Sequence, residues 1–134
     1  MSRREMREHI FKLLFLLEFY QKDELDSQAE LYMDEVEEAA PTKEEEDYIL
    51  GKFRKIEEIL PQLDKLLSEE SSGWKLNRMN KVDLTILRLA AYEILEDEDI
   101  PVGVAINEAV ELAKKFGGDD SSSFVNGVLA KIAK

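Results

Sequence analysis

The chain has 134 residues, 44% of them hydrophobic, which suffices for one ordinary domain with a buried core. It has no cysteine and a single histidine, His9, which excludes disulfides, thiolate chemistry and a multi-histidine metal centre. No apolar run is long enough to span a bilayer, and the short patch at 13–17 lies inside a charged helical pattern rather than a signal peptide, so a cytoplasmic protein is expected.

A first helix is predicted from Ser2, because Ser2 and Glu5 have the spacing of a capping box. Met6, Ile10, Leu13, Leu14 and Leu17 make its core stripe. Arg4, Arg7, Phe11 and Phe15 lie along an adjoining face, and Arg3 borders both. Cations in a first helical turn oppose the helix dipole, so helix stability does not explain Arg3, Arg4 and Arg7. Two readings stand open on these residues alone. The arginines hold phosphates beside rings that stack on bases, or the rings are core and the arginines are ordinary solvated charges.

A polar turn is expected near 22–27, then a short amphipathic helix marked by Ala29, Tyr32, Met33 and Val36, broken at Ala39-Ala40-Pro41. Thr42 and Glu45 open a third helix through Tyr48, Ile49, Phe53, Ile56 and Leu60. Pro61 kinks it or begins a new helix, with Leu63, Leu66 and Leu67 continuing the apolar face. The run Ser-Glu-Glu-Ser-Ser-Gly at 68–73 is the best internal boundary. The helix expected over 80–95 is the most apolar and should be buried nearly all round. Its narrow polar arc is Lys81, Thr85, Arg88, Tyr92 and Glu96. Two carboxylates interrupt the apolar arc. Asp83 suits a first turn, whereas Glu93 reads as a structural hydrogen-bond acceptor.

Two more helices follow. Ile106, Ala109, Val110, Ala113 and Phe116 form one stripe, with Pro101 at its start. Gly117-Gly118 is expected to end this helix in the left-handed conformation. Asp119, Asp120 and Ser121 offer oxygens to cap the next helix, whose stripe is Phe124, Val125, Val128, Leu129 and Ile132. Gly127 inside it predicts close approach of a neighbouring backbone or ligand. With no strand alternation anywhere, the reading is all-α, six or seven helices in two small subdomains, 1–72 and 73–134.

The net charge of −12 is concentrated in residues 23–70, which carry seventeen acids against five cations. Residues 1–22 carry five cations against three acids. Such a body repels nucleic acid at long range, so binding would need a local patch or a basic partner. No phosphate loop, nucleophile elbow or metal-ligand spacing is present. The acid pairs Asp119-Asp120 and Glu108/Glu111 read as a cap and a solvated face, so no catalytic residue is assigned.

The stretch Trp74-x-Leu76-x-Arg78-Met79-x-x-Val82-Asp83-x-x-Ile86-Leu87-Arg88-Leu89-Ala90-x-Tyr92-Glu93 is followed by Ile100-Pro101. Then come Ala105-Ile106-Asn107-Glu108-Ala109-Val110-Glu111-Leu112-Ala113-Lys114, Phe116-Gly117, Asp120-Ser121 and Phe124-Val125-Asn126-Gly127-Val128-Leu129. In order and spacing these resemble the NusB transcription antitermination family. The N-terminal half matches by its length, its arginine-led first helix and Glu18. The resemblance implies an all-α, NusB-like fold of two helical bundles, no enzymatic activity and no cofactor. It implies binding of boxA-type single-stranded RNA together with NusE, a small-subunit ribosomal protein. It also implies action on the RNA polymerase elongation complex, notably on ribosomal RNA operons; homodimer formation is left open. By the same resemblance Arg3, Arg4, Arg7, Phe15 and Asp120 correspond to RNA-binding positions, and Asp83 faces the NusE partner. Phe15 lacks the hydroxyl of the tyrosine found in some relatives, and Glu5 and Glu8 dilute the basic charge of the first helix. Weak RNA binding alone and stronger binding with the basic partner are therefore expected. The competing readings are a helical protein-interaction scaffold and the NusB-like RNA-binding module of a ribosomal RNA methyltransferase. The chain stops at Lys134 without a methyltransferase domain, which argues against an intact enzyme of that kind.

Overall fold

In a computed structural model, which describes residues 1–35, 41–71 and 75–133, the capping box at Ser2 is formed. Ser2 Oγ accepts from the Glu5 N–H at 3.0 Å, and Glu5 Oε1 accepts from the Ser2 N–H at 3.2 Å. Helix α1 (Arg3–Phe15) follows and runs into a 3-10 turn at Leu16–Glu18. Helix α2 spans Lys22–Glu35, so the polar turn expected near 22–27 is instead its beginning. Leu25, 1% exposed, extends the Ala29–Met33 stripe by one more turn, and Asp23 and Glu24 suit a helix start. Val36, Ala39 and Ala40 lie outside the described residues.

Thr42 and Glu45 form a second capping box, at 2.9 and 3.2 Å, and open α3 (Lys43–Glu58). Its Ile49, Phe53 and Ile56 are fully buried, and α1 packs along it. These elements make one compact unit, Met1–Glu58.

The second unit, Ile59–Lys134, begins with α4 (Leu60–Glu70). Pro61 sits in its first turn, where a missing N–H forfeits no intrahelical bond. The division between units thus falls at Glu58/Ile59, one helix before the 68–73 run, because α4 turns Leu63 and Leu67 inward and packs on α5 and α7. Residues 72–74, Trp74 among them, lie outside the described residues. After a 3-10 turn at Leu76–Arg78 come α5 (Lys81–Glu96), α6 (Val102–Phe116) and α7 (Ser121–Ile132). All regular structure among the described residues is helical.

Asn80 Oδ1 accepts from the Val82 N–H at 2.8 Å and starts α5. This helix is the centre of its unit, packed by α4, α6 and α7. The middle of its expected polar arc is covered as well: Thr85, Arg88 and Tyr92 are buried, as are Asp83 and Glu93, while Lys81 and Glu96 at the ends of the arc are exposed. Thr85 returns its hydroxyl to the Lys81 carbonyl at 2.8 Å. Arg88 donates from Nε and from a terminal nitrogen to the two Asp64 oxygens of α4, each at 2.9 Å.

Two glycine expectations are corrected. Gly127 is exposed, and a Cβ there would meet nothing within 4 Å, so no close approach requires it. Gly117 has φ −90° and ψ −173°, not the left-handed conformation. What requires glycine at 117 is crowding: a Cβ would lie 2.5 Å from the Ser121 side chain and 2.7 Å from the Ala113 carbonyl oxygen. Ser121 Oγ accepts from the Gly118 N–H at 2.9 Å, which fixes the short α6–α7 connection. Asp120 is the N-cap residue of α7, but its side chain makes no capping bond.

Candidate nucleic-acid interface

Helix α1 carries the predicted arginine and aromatic residues on a face that turns gradually out of its unit. At about 100° per residue, a step of four residues advances the face by about 40°. Arg7 projects only about 20° from the fully buried Leu14, and Phe11 about 40° farther round. Burial follows that geometry. Arg7 is 7% exposed, Phe11 is 4% exposed and Phe15 is half-buried. Arg3 and Arg4, one turn earlier, are exposed. The structure thus leaves Arg3, Arg4 and Phe15 accessible and withdraws Arg7, whose guanidinium has little surface to offer a phosphate. Arg4 and Phe15 share a face but are separated by about 16 Å along the helix axis.

The rings are arranged as a ladder. Phe11 and Phe15 have centroids 6.4 Å apart at 29°, and Phe15 and Phe19 have centroids 5.2 Å apart at 70°. Phe19 is 65% exposed. Phe19 is not among the residues singled out on the sequence, although the signal is present there, as the next i+4 step after Phe11 and Phe15. On the neighbouring side Lys12 pairs with Glu8 at 3.5 Å.

Within the second unit, a cavity of about 390 Å³ opens where the start of α5 meets the α6–α7 connection. Asn80, Asp83, Asp119, Asp120, Ser121 and Phe124 line it. Asp83 and Asp120, assigned to different partners on the sequence, therefore face one space. Asp83 is 8% exposed, and its Oδ1 has no hydrogen-bond partner. A buried carboxylate oxygen without a donor is a costly arrangement that a cation or N–H group from outside relieves. Three carboxylates and no lysine or arginine line this cavity, so it suits basic side chains or base amino groups and repels phosphates. Among the described residues no cluster of three or more His, Cys, Asp or Glu is arranged to hold a metal, and no helix is long and apolar enough to cross a membrane.

The sequence profile of the NusB family matches residues 4–134. The chain belongs to the NusB family. The transcription antitermination protein NusB of Lachnoclostridium phytofermentans is 55% identical over 132 residues, covering 98% of each chain. The solved structure of NusB from T. maritima superposes with a TM-score of 0.88 at 40% identity, over 99% of this chain and 91% of that one. A structure of the antitermination factors NusB and NusE in complex with dsRNA superposes with a TM-score of 0.81, over 98% of this chain and 95% of that one. At 22% identity that likeness is one of fold.

Within this NusB-family fold, Asp83 and Asp120, both named on the sequence, share a cavity that the sequence does not reveal, and two of its other walls were not singled out. Asn80 was hidden by its role as a helix cap. Phe124 was read as part of the buried stripe of α7, yet it is half-buried and lines the cavity.

Proposed function

We propose that this protein is an RNA-binding transcription antitermination factor that, with NusE, binds boxA-type RNA and promotes processive transcription of ribosomal RNA operons by the RNA polymerase elongation complex. The observation that carries this reading is the end-to-end match to proteins named transcription antitermination protein NusB, at 55% identity. The NusB–NusE complex with dsRNA supports the choice of partners. The reading places the protein in the cytoplasm and gives it no catalytic step.

The two surfaces divide the work. On α1, the exposed Arg3 and Arg4 hold phosphates and the half-buried Phe15 offers a ring to a base. Arg7, being buried, anchors this helix rather than reaching a phosphate. In the second unit, Asp83 receives a cation from the basic partner and Asp120 accepts from RNA base N–H groups. A body at −12 binds RNA weakly by itself. A basic partner is drawn to the acidic body and supplies the missing cations to the composite surface.

The test is RNA affinity with and without NusE at several salt concentrations. Arg4→Ala should weaken RNA binding and flatten its salt dependence, with partner binding kept. Asp83→Lys should weaken partner binding first. An Arg4→Ala variant that binds RNA as tightly as wild type at every salt concentration would remove α1 from the interface.

A further inference from the structure

We propose that Phe19 is an additional base-stacking platform, extending the RNA-binding face of α1 by one nucleotide beyond Phe15. The proposal rests on the reading of α1 given above and adds to it a residue and a footprint.

Three observations carry it. Among the described residues Phe19 is the most exposed large hydrophobic, at 65% against 52% for Leu31 and 48% for Leu95. It is held in place rather than trailing. Its N–H donates to the Leu16 carbonyl at 3.0 Å, and the Tyr20 N–H donates to the same carbonyl at 3.1 Å. It also touches the ring already assigned to RNA. The Phe15–Phe19 pair meets edge to face at 5.2 Å and 70°, so one flat base cannot cover both rings. Each ring presents its surface to a separate base, as on the stacking platforms of single-strand binders. The surroundings favour nucleic acid as the occupant. Arg4 lies on the same helix face, about 16 Å before Phe15 along the axis, and the Lys12 side chain, 42% exposed and paired with Glu8, flanks the rings. These cations can track a phosphate backbone along the rings.

The experiment measures affinity for a boxA-type RNA in the presence of NusE, by fluorescence anisotropy. The RNA is used at full length and shortened one nucleotide at a time from each end. The proteins are wild type, Phe19→Ser, Phe19→Tyr and Phe15→Ala. Phe19→Ser should weaken binding of the full-length RNA about fivefold or more. That loss should vanish once the nucleotide that meets Phe19 is removed. Phe19→Tyr keeps the ring face and should bind like wild type. An equal loss at every RNA length, or no loss at any, overturns the proposal. So does a Phe19→Ser variant that loses NusE while keeping its RNA affinity, since the ring would then be a protein contact. An effect of Phe15→Ala without one of Phe19→Ser overturns this inference alone. No effect of either variant overturns the reading of α1 as well.

Discussion

Arg88 of α5 grips Asp64 of α4 through two parallel hydrogen bonds, each 2.9 Å long. Paired, planar contacts of this kind are among the stronger charge-assisted bonds, and they fix orientation as well as distance. Arg88 is buried, while the Asp64 side chain keeps 29% of its exposure, so water still screens part of the pair. Asp64→Ala is expected to destabilise the protein by about 1–3 kcal/mol, below the cost of breaking a fully buried pair. Chemical denaturation checks this. An unchanged midpoint would mean that the pair contributes orientation without stability.

The two corrected glycines predict opposite outcomes. Gly127→Ala should stabilise by about 1 kcal/mol, because an exposed helix position gains helix propensity and a Cβ there meets nothing. Gly117→Ala should destabilise by about 1–3 kcal/mol, the usual range for overpacking, since its Cβ would collide with Ser121 and the Ala113 carbonyl. Thermal melts of both variants decide it. A lower melting temperature for Gly127→Ala would contradict the open surface at that position.

Stability should depend on pH through His9 and Tyr32, whose Nδ1 and hydroxyl lie 2.8 Å apart. Burial, with some help from Lys12, pushes the His9 pKa below 6.5. The unfolded chain therefore binds the proton more readily. The contribution of His9 is complete above pH 6.5 and is lost as pH falls from there through the folded value. Burial, assisted by Glu8, pushes Tyr32 up to about 12 from 10.0. Its contribution is complete below pH 10.0 and is lost between there and about 12. Unfolding free energies across pH should show Tyr32→Phe flattening the alkaline arm and His9→Gln flattening the part of the acid arm just below pH 6.5. Variant curves running parallel to wild type in both windows would refute the assignment.

Asp83→Asn separates fold from function. The change relieves a buried, unpartnered carboxylate oxygen but forfeits a favourable charge in the first turn of α5. These effects oppose each other, so stability should move by no more than about 1 kcal/mol. Affinity for the basic partner should drop clearly at the same time. Calorimetric titration beside a melt tests the pair of outcomes, and partner affinity equal to wild type would take Asp83 out of the interface.

Most of the helices are legible in the sequence, because caps and apolar periods are local chemistry, whereas the start of α2, read as a polar turn, is not. Ser2 with Glu5, Thr42 with Glu45, and Pro61 all act where their spacing puts them. The sequence also carried the family through residues spread from Arg4 to Leu129. Which polar residues face water is set by tertiary packing. Arg7 lies about 20° from Leu14 on α1, so the packing that buries one buries the other. Arg88 sits on the most polar arc of α5, yet α4 brings Asp64 to meet it. Packing also brought Asp83 and Asp120 to one cavity, since the α6–α7 connection folds back onto the start of α5. A one-dimensional period specifies which residues share a helix face. Only the neighbours packed against that face determine whether it meets water, a partner side chain or an open cavity.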